Sequence, residues 1–244
     1  AVLALGAVAH VSTDQAPAVN VPGIDKPVIV VTGEITGTEA WTSNNYYVLR
    51  GAVFVRDGGT LDIAPGTWII GEAGTVLSGA RQLTAFSQAG AYWVASEQRQ
   101  EGPRPQSPCQ PGFPRCGFPE DVFIDGVPLR HVESLAAVGP GAFFFDYAAD
   151  RIYLADDPTN RTVEASVTAK AFEGSATDVF ISNLVIEKYA TPIGDAAVPL
   201  GTRSTLESSE VRLNHFAGVS TWMNSVVRRS SIHHNGAFGL TGAG

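Results

Sequence analysis

The sequence has few charged side chains, and it lacks an apolar run long enough to cross a membrane. Charged residues make up 16% of the 244 positions, whereas hydrophobic residues make up 44%. A disordered chain is excluded by this balance, because such chains have too little apolar surface to offset the entropy of ordering. A membrane-spanning helix needs about 20 mainly apolar residues in succession. We therefore expect a folded chain with no membrane span.

Basic residues are outnumbered by acidic ones. The chain has 16 Lys and Arg against 24 Asp and Glu, which gives a formal net charge of −8. An acidic surface repels phosphate backbones, so nucleic acid is not an expected partner. Periodic runs of Leu, Lys and Glu, which mark helices, are also scarce, whereas Gly, Val and Thr are frequent. This composition predicts an all-β protein with many turns.

The first residues of the chain resemble the end of a signal peptide in composition. Ala1–Ala9 reads AVLALGAVA, which resembles the end of a signal-peptide apolar region, and Ala7–Ala9 would be the small-residue cleavage site. We interpret residues 1–27 as a signal-peptide remnant and a linker, and we expect the protein to be secreted or displayed at the cell surface. The alternative is an ordinary N-terminal strand.

Cysteine is scarce, and the two that occur are close together. Cys109 and Cys116 bracket the sequence QPGFPR within a Pro-rich segment. In an exported protein they are candidates for a disulfide, because a local cross-link restrains a flexible loop most. Two free thiols are the alternative. Two cysteines without a neighbouring histidine cannot form a structural zinc site, so no metal is predicted here.

Short strands and tight turns divide the rest of the chain into three parts. Residues 28–78 contain apolar runs separated by Gly, Asp and Pro, which is typical of a solenoid or a barrel. Residues 79–170 interrupt this rhythm with the Pro-rich loop 101–119 and two strand–turn–strand patterns. We interpret this part as an inserted small antiparallel β subdomain. Residues 171–244 return to the short-strand pattern.

The last part of the chain repeats itself. Ser204–Val219 matches Ser225–Leu240 at an offset of 21 residues, and an earlier segment around Leu184 matches at an offset of 27. A fixed period with apolar residues at the same phases predicts a coiled parallel β-helix. We expect Leu184, Val211 and Ile232 to stack inside it, and the amides of Asn214 and Asn235 to form a ladder at a turn.

The repeats resemble those of right-handed parallel β-helix proteins of the pectate-lyase-like superfamily. The resemblance rests on the segments ATDVFISNLVIEKYA, STLESSEVRLNHFAGV and NSVVRRSSIHHNGAFGL, and on the β insertion between early coils. It implies a right-handed β-helix that binds or processes an extracellular polysaccharide, as a lyase or as a glycoside hydrolase. Two alternatives remain: a non-catalytic, adhesin-like surface solenoid, and a piece of an enzyme whose catalytic coils follow Gly244. The segment GAFGLTGAG resembles a coil that leads into another, so we expect a truncated C-terminus.

Polar side chains on the outer face of these coils are the candidate site. By strand alternation, Val211 points inward and Glu210 and Arg212 point outward, with His233 one coil later. A carboxylate, a guanidinium and an imidazole together could bind an acidic sugar and transfer a proton, so these three residues are the candidate catalytic groups. A solvated face of mixed charge is the alternative. The candidate carbohydrate-binding residues beside them are Glu187, Asn214 and Asn235.

No cofactor is predicted, although calcium stays an open possibility. His233 and His234 are adjacent, and neighbouring residues on a strand point to opposite faces, so we expect that they do not chelate one ion together. The sequence does not predict an oligomeric state.

Overall fold

The computed structural model describes residues 25–55, 60–72, 74–106, 108–173 and 176–242. The predicted leader, Ala1–Ala9, lies outside these residues. Within them the fold is an all-β parallel solenoid, as predicted. The one helical element in the described ranges is a 3₁₀ turn at Leu135–Ala137.

The first coils of the solenoid are built from parallel strands. The long third strand pairs with the first strand and with the two strands of the following coil, so each coil satisfies the backbone groups of the next. The second and fourth strands form a separate parallel pair on another side. The strands are β1 (Val28–Ile35), β2 (Thr38–Trp41), β3 (Tyr46–Val55), β4 (Thr60–Ile63), β5 (Trp68–Gly71) and β6 (Val76–Ser78).

Two further sheets follow, and their pairing is mainly antiparallel. One has the strand order β11-β10-β15-β7 and the other β12-β13-β14-β9-β8. The β10–β11 hairpin turns at Asp125 and Gly126, which both have positive φ angles (51° and 78°), as a tight hairpin turn requires. The strands are β7 (Ala80–Leu83), β8 (Ser87–Ala89), β9 (Tyr92–Ala95), β10 (Val122–Ile124), β11 (Val127–Pro128), β12 (Arg130–His131), β13 (Ala142–Asp146), β14 (Arg151–Leu154) and β15 (Val163–Ser166).

The later coils stack directly on the first ones. Strands β16 and β17 pair in parallel with β5 and β6, and each later coil adds one strand to each ladder. A third ladder has the order β18-β21-β24. The strands are β16 (Phe180–Ser182), β17 (Val185–Glu187), β18 (Ala196–Pro199), β19 (Thr205–Glu207), β20 (Glu210–Arg212), β21 (Ala217–Thr221), β22 (Val226–Arg228), β23 (Ser231–His233) and β24 (Phe238–Gly242).

The offset of 21 between the last two coils is confirmed, but the earlier offset of 27 is wrong. Val211 pairs with Ile232, as predicted, whereas its partner on the other side is Ile186 and not Leu184. The backbone N–H of Leu184 donates instead to the Ser209 hydroxyl, 25 residues later. Ala196 on β18 pairs with Ala217, so the offset between these two coils is 21 again from this strand onward. The loop before β18 therefore holds four more residues than the equivalent loop of the next coil, whereas the predicted offset of 27 implied six more.

Aliphatic side chains stacked from coil to coil form the core of the solenoid. Ile186 and Val211 are fully buried, and Ile232 packs against the same cluster. Each buried side chain of this size contributes about 1.5–3 kcal/mol relative to exposure. The antiparallel sheets have a second core, which includes Phe143, Phe145 and Ile152. The two cores fix the antiparallel layer and the late coils as rigid walls, which is the condition for a shaped site between them.

Candidate functional site

A cleft lies between the antiparallel layer and the late coils. It consists of two adjoining depressions of about 540 Å³ and about 310 Å³, which share Leu213 and His234 in their linings. The loop before β10 and the β10–β11 hairpin form one wall, and β20, β23 and their corners form the other. We call the larger depression the aromatic end of the cleft and the smaller one the charged end.

The charged end contains most of the strip predicted from the sequence. Glu187, Arg212 and His233 occupy paired positions on β17, β20 and β23. Arg212 donates from Nε to Glu187 (2.8 Å) and from Nη1 to Glu210 (2.7 Å). His233 Nε2 lies 3.0 Å from the same Glu210 carboxylate. The structure therefore brings together the three candidate catalytic groups and Glu187.

A lysine that the sequence did not single out extends this chain of charges. The ammonium group of Lys188 lies 2.7 Å from Glu164 on β15 and 2.9 Å from Glu187. Lys188 is buried and has a positive φ of 61°, so its side chain leaves the strand alternation and crosses to the antiparallel sheet. Burial lowers the pKa of Lys188, but its two carboxylate partners outweigh burial and raise it overall. Glu164 lies 24 residues earlier, on an antiparallel strand outside the coil ladders, so the coil repeat does not predict this contact.

Glu210 is held in its ionised form. Partial burial raises the pKa of Glu210, but the hydrogen bonds and charges of Arg212 and His233 outweigh it and lower the pKa overall. A carboxylate with a depressed pKa accepts protons poorly and donates none at neutral pH. Glu210 is therefore suited to stabilising positive charge or to orienting the His233 imidazole, which it contacts at 3.0 Å.

The predicted amide ladder is present, but Asn214 does not face solvent. The Asn214 side chain is 1% exposed, and its Nδ2 donates to Asn235 Oδ1 at 2.9 Å. Its Oδ1 accepts from the backbone N–H of Tyr189 at 3.0 Å. The expectation that Asn214 points outward is wrong because Leu213 adopts a positive φ of 56°, which ends the two-residue alternation and turns the next side chain inward. Asn235 is half-buried, and its amide is likewise used within the ladder.

The two adjacent histidines do approach each other, against the expectation from strand alternation. His234 has a positive φ of 51°, so it lies at a corner and not on the opposite face of the strand. The Nδ1 atoms of His233 and His234 are 2.6 Å apart, which requires that one of them donates a proton to the other. In the described ranges, no group of three or more His, Cys, Asp or Glu side chains is arranged to hold a metal ion.

His215 joins the two walls of the cleft. Its Nδ1 lies 3.0 Å from the Asp121 carboxylate and its Nε2 lies 2.8 Å from the Cys116 carbonyl oxygen. Both partners can only accept hydrogen bonds, so both ring nitrogens must donate, and the side chain must be an imidazolium. Burial lowers the pKa of His215, but the charge and hydrogen bond of Asp121, with the Cys116 carbonyl, raise it to about 9. His215 thus places a fixed positive charge in the lining of the aromatic end.

This contact gives a pH-dependent prediction. The pKa of His215 rises from 6.5 to about 9 on folding, so its contribution to stability is complete below pH 6.5 and disappears as the pH rises through 9. We expect His215→Gln to lower the melting temperature at pH 6 but to have little effect at pH 10. Thermal unfolding of both proteins across this range measures the difference. An equal loss at both pH values would contradict the imidazolium assignment.

The predicted pairing of Cys109 with Cys116 is present as a disulfide, with a Cα–Cα distance of 5.6 Å. It closes a tight loop, which the backbone hydrogen bonds Phe113 N to Gln110 O and Cys116 N to Phe113 O stabilise further. We call residues 109–116 the disulfide loop. No strand occurs at residues 101–106 or 108–119, in agreement with the loop predicted there.

Aromatic rings line the larger depression from both sides. Phe113 projects from the disulfide loop and is 58% exposed, and Phe238 on the last coil is 52% exposed. The rings of Phe216 and Phe238 are 5.6 Å apart in an edge-to-face arrangement. No sequence pattern indicates this grouping, because Phe113 belongs to a loop and the other two rings belong to coils about 100 residues later.

Arginines add positive charge to the aromatic end. Arg130 is exposed on β12, and in the described part of the chain it has no acidic partner. Arg115 donates to the Glu133 carbonyl oxygen, and its guanidinium lies 4.2 Å from the centre of the Phe118 ring. Among the described residues, Asp121 is the one acidic side chain in this lining, and it is paired with His215. The aromatic end is therefore positively charged although the whole chain is acidic.

As to membranes, the described residues include no helix with the length and apolar character that crossing a bilayer requires.

Comparisons with known proteins identify the fold. No family model and no curated protein matches the sequence. The complex structure of XylC with xylose is similar over 73% of this chain and 37% of that chain, with a TM-score of 0.51 and 10% identity. A glycoside hydrolase is matched over 85% of this chain and 59% of that chain, with a TM-score of 0.43 and 10% identity. This chain thus spans only part of the length of both, and at this identity the likeness concerns the fold alone.

Proposed function

We propose that this protein binds and processes an extracellular polysaccharide in the cleft, as a right-handed β-helix protein of the pectate-lyase-like type. One observation carries the proposal: exposed aromatic rings lie in the same cleft as a linked carboxylate, guanidinium and imidazole. Aromatic faces suit the apolar faces of sugar rings, and the polar groups suit hydroxyl and carboxyl groups. The solved complex of XylC with xylose supports a sugar as the ligand class.

The charges favour an acidic sugar. Arg130, Arg115 and the His215 imidazolium line the aromatic end, and they would attract a carboxylate. At the charged end, Arg212 would neutralise developing negative charge and His233 would exchange a proton, with Glu210 orienting both. These roles fit both elimination and hydrolysis of a glycosidic bond.

Export is part of the proposal. The disulfide between Cys109 and Cys116 is favoured in an oxidising compartment. The composition of the N-terminal residues resembles that of a cleavable signal peptide. An extracellular location would also give the protein access to polysaccharide.

A non-catalytic surface solenoid is the second candidate. The observation that favours it is that the side chains of the charged end already have partners: Arg212 is bound to two carboxylates, and His233 is bound to Glu210. Side chains that are already paired would hold the coils together without any reaction. Binding at the aromatic end would then be the whole function.

Incubation with polysaccharides separates these candidates. The panel contains polygalacturonate and alginate as acidic polymers and xylan as a neutral polymer, and it follows new reducing ends together with the ultraviolet absorbance of unsaturated products. Reducing ends with absorbance indicate a lyase, and reducing ends alone indicate a hydrolase. Binding by calorimetry without products supports the surface solenoid. The absence of both binding and products with every polymer would overturn the proposed function.

A further inference from the structure

The middle of the disulfide loop, residues 110–114, is exposed on the wall that faces the coils. It carries Phe113, which lies between Gly112 and Pro114 and is 58% exposed. An exposed phenylalanine on a surface loop is unremarkable by itself. This ring, however, lines the same depression as Phe216 and Phe238, so aromatic surface is present on both sides of one space.

The base of the loop is fixed by contacts that do not involve Phe113. The Cys116 carbonyl oxygen and the Asp121 carboxylate are bound to His215 on the coils. Phe118 is packed between the guanidinium groups of Arg115 and Arg104, at 4.2 Å and 4.6 Å from the ring centre. Both flanks of the loop are therefore anchored, and the position of the tip depends on how the residues between Arg104 and Cys116 are held.

The disulfide determines where that tip can go. Before the loop the chain is anchored at Arg104, whose guanidinium lies against the Phe118 and Tyr147 rings, and after it at Cys116. Between these points, two backbone hydrogen bonds within the loop and the disulfide hold the loop closed. Opening the disulfide would let Phe113 sample many positions, and a ligand would then have to order the loop on binding. Holding a contact residue in place in advance is a general way to strengthen binding.

We propose that the disulfide loop is a sugar-binding element that holds the ring of Phe113 against one sugar ring of the polysaccharide, so that binding depends on the oxidised disulfide. The inference rests on the proposed function, because it assigns part of the same cleft to the same ligand. It adds a contact residue outside the charged strip and a redox requirement for affinity.

Binding of defined oligosaccharides tests this. The probes are an oligogalacturonate, which is acidic, and a xylo-oligosaccharide, which is neutral. Calorimetry measures Kd for the oxidised protein, Phe113→Ala and Cys109→Ser/Cys116→Ser. We expect Phe113→Ala to weaken binding about tenfold or more, and the double cysteine variant about tenfold. Trp222→Ala is the control, because Trp222 is similarly exposed (55%) but does not line the cleft.

The outcomes distinguish this inference from the proposed function. Thermal unfolding first establishes that each variant is folded, and Phe113→Ala keeps the disulfide intact if the cysteine variant does not fold. If the oxidised protein binds a probe and both Phe113→Ala and the cysteine variant bind it equally well, the inference fails while the proposed function stands. If the oxidised protein binds neither probe and also neither binds nor cleaves any polymer of the panel, both are overturned; if it binds or cleaves a polymer but neither probe, the inference fails and the proposed function stands. A weakening by Trp222→Ala as large as that by Phe113→Ala would also contradict the assignment.

Discussion

Replacing Arg212 with alanine is expected to reduce action on the polysaccharide by at least about 100-fold and to lower the free energy of unfolding by about 2 kcal/mol. Arg212 bridges the carboxylates of Glu187 and Glu210, and the Glu187 side chain is only 8% exposed. Without the guanidinium, Glu187 retains Lys188 alone, and two carboxylates repel each other in the charged end. Product formation and urea denaturation measure the two effects.

Two further variants separate charge, geometry and stability. Arg212→Lys keeps the charge but cannot bridge two carboxylates with one planar group, so we expect it to recover stability more than activity. Arg228→Ala is the matched control, because Arg228 donates to Glu207 at 2.7 Å in the same coil-to-coil manner but lies outside the cleft. Full activity in Arg212→Ala, or an equal loss in Arg228→Ala, would contradict the role of the charged end.

Replacing Asn214 with alanine is expected to lower the free energy of unfolding by about 2–4 kcal/mol without changing sugar affinity per folded molecule. The side chain is 1% exposed and accepts a hydrogen bond from the backbone N–H of Tyr189. Alanine would leave that buried N–H unpaired and would break the ladder to Asn235. Urea denaturation measures the loss, and calorimetry with an oligosaccharide measures the affinity.

Asn235→Ala is the control for this effect. Asn235 is half-buried and occupies the same corner one coil later, so its loss leaves fewer buried groups unpaired and should cost about 1 kcal/mol. A stable Asn214→Ala variant with weakened sugar binding would restore the carbohydrate-binding role that the sequence suggested for Asn214. A large loss of stability with unchanged affinity would establish Asn214 as a structural residue.

The sequence predicted what depends on the repeat. The offset of 21 places Val211 beside Ile232 and Arg212 beside His233, and both pairs are present. A solenoid makes such predictions possible because each coil contacts mainly its neighbours, so the spacing in sequence determines contacts in space. The error at Leu184 arose because the loop before β18 holds four extra residues, whereas the predicted offset of 27 required six.

The first errors in the predicted site arose at the corners of the coils, where a strand ends and the alternation of side chains stops. Leu213 and His234 both have positive φ angles (56° and 51°), which glycine adopts most readily and an apolar residue such as leucine rarely. Residue type therefore gave no warning that the alternation ends there. As a result, Asn214 was placed outside the coil when it is buried, and the two histidines were placed apart when they are in contact.

Long-range contacts were the second source of error. His215 binds Asp121 and Cys116, which are 94 and 99 residues earlier in the chain. Lys188 binds Glu164 of the antiparallel sheet in the same way. No periodicity relates the antiparallel layer to the coils, so the existence of the cleft, and of its aromatic end, could not be read from the sequence.

A crystal structure of the protein with a bound oligosaccharide would show whether the cleft is the sugar-binding site. Oligogalacturonate and xylo-oligosaccharide would each be soaked into crystals of the oxidised protein. We expect a sugar chain that lies along the cleft, with one ring against Phe113 and another within hydrogen-bonding distance of Arg212. Density for the sugar on another face of the solenoid, with the cleft free of it, would rule out the cleft as the binding site.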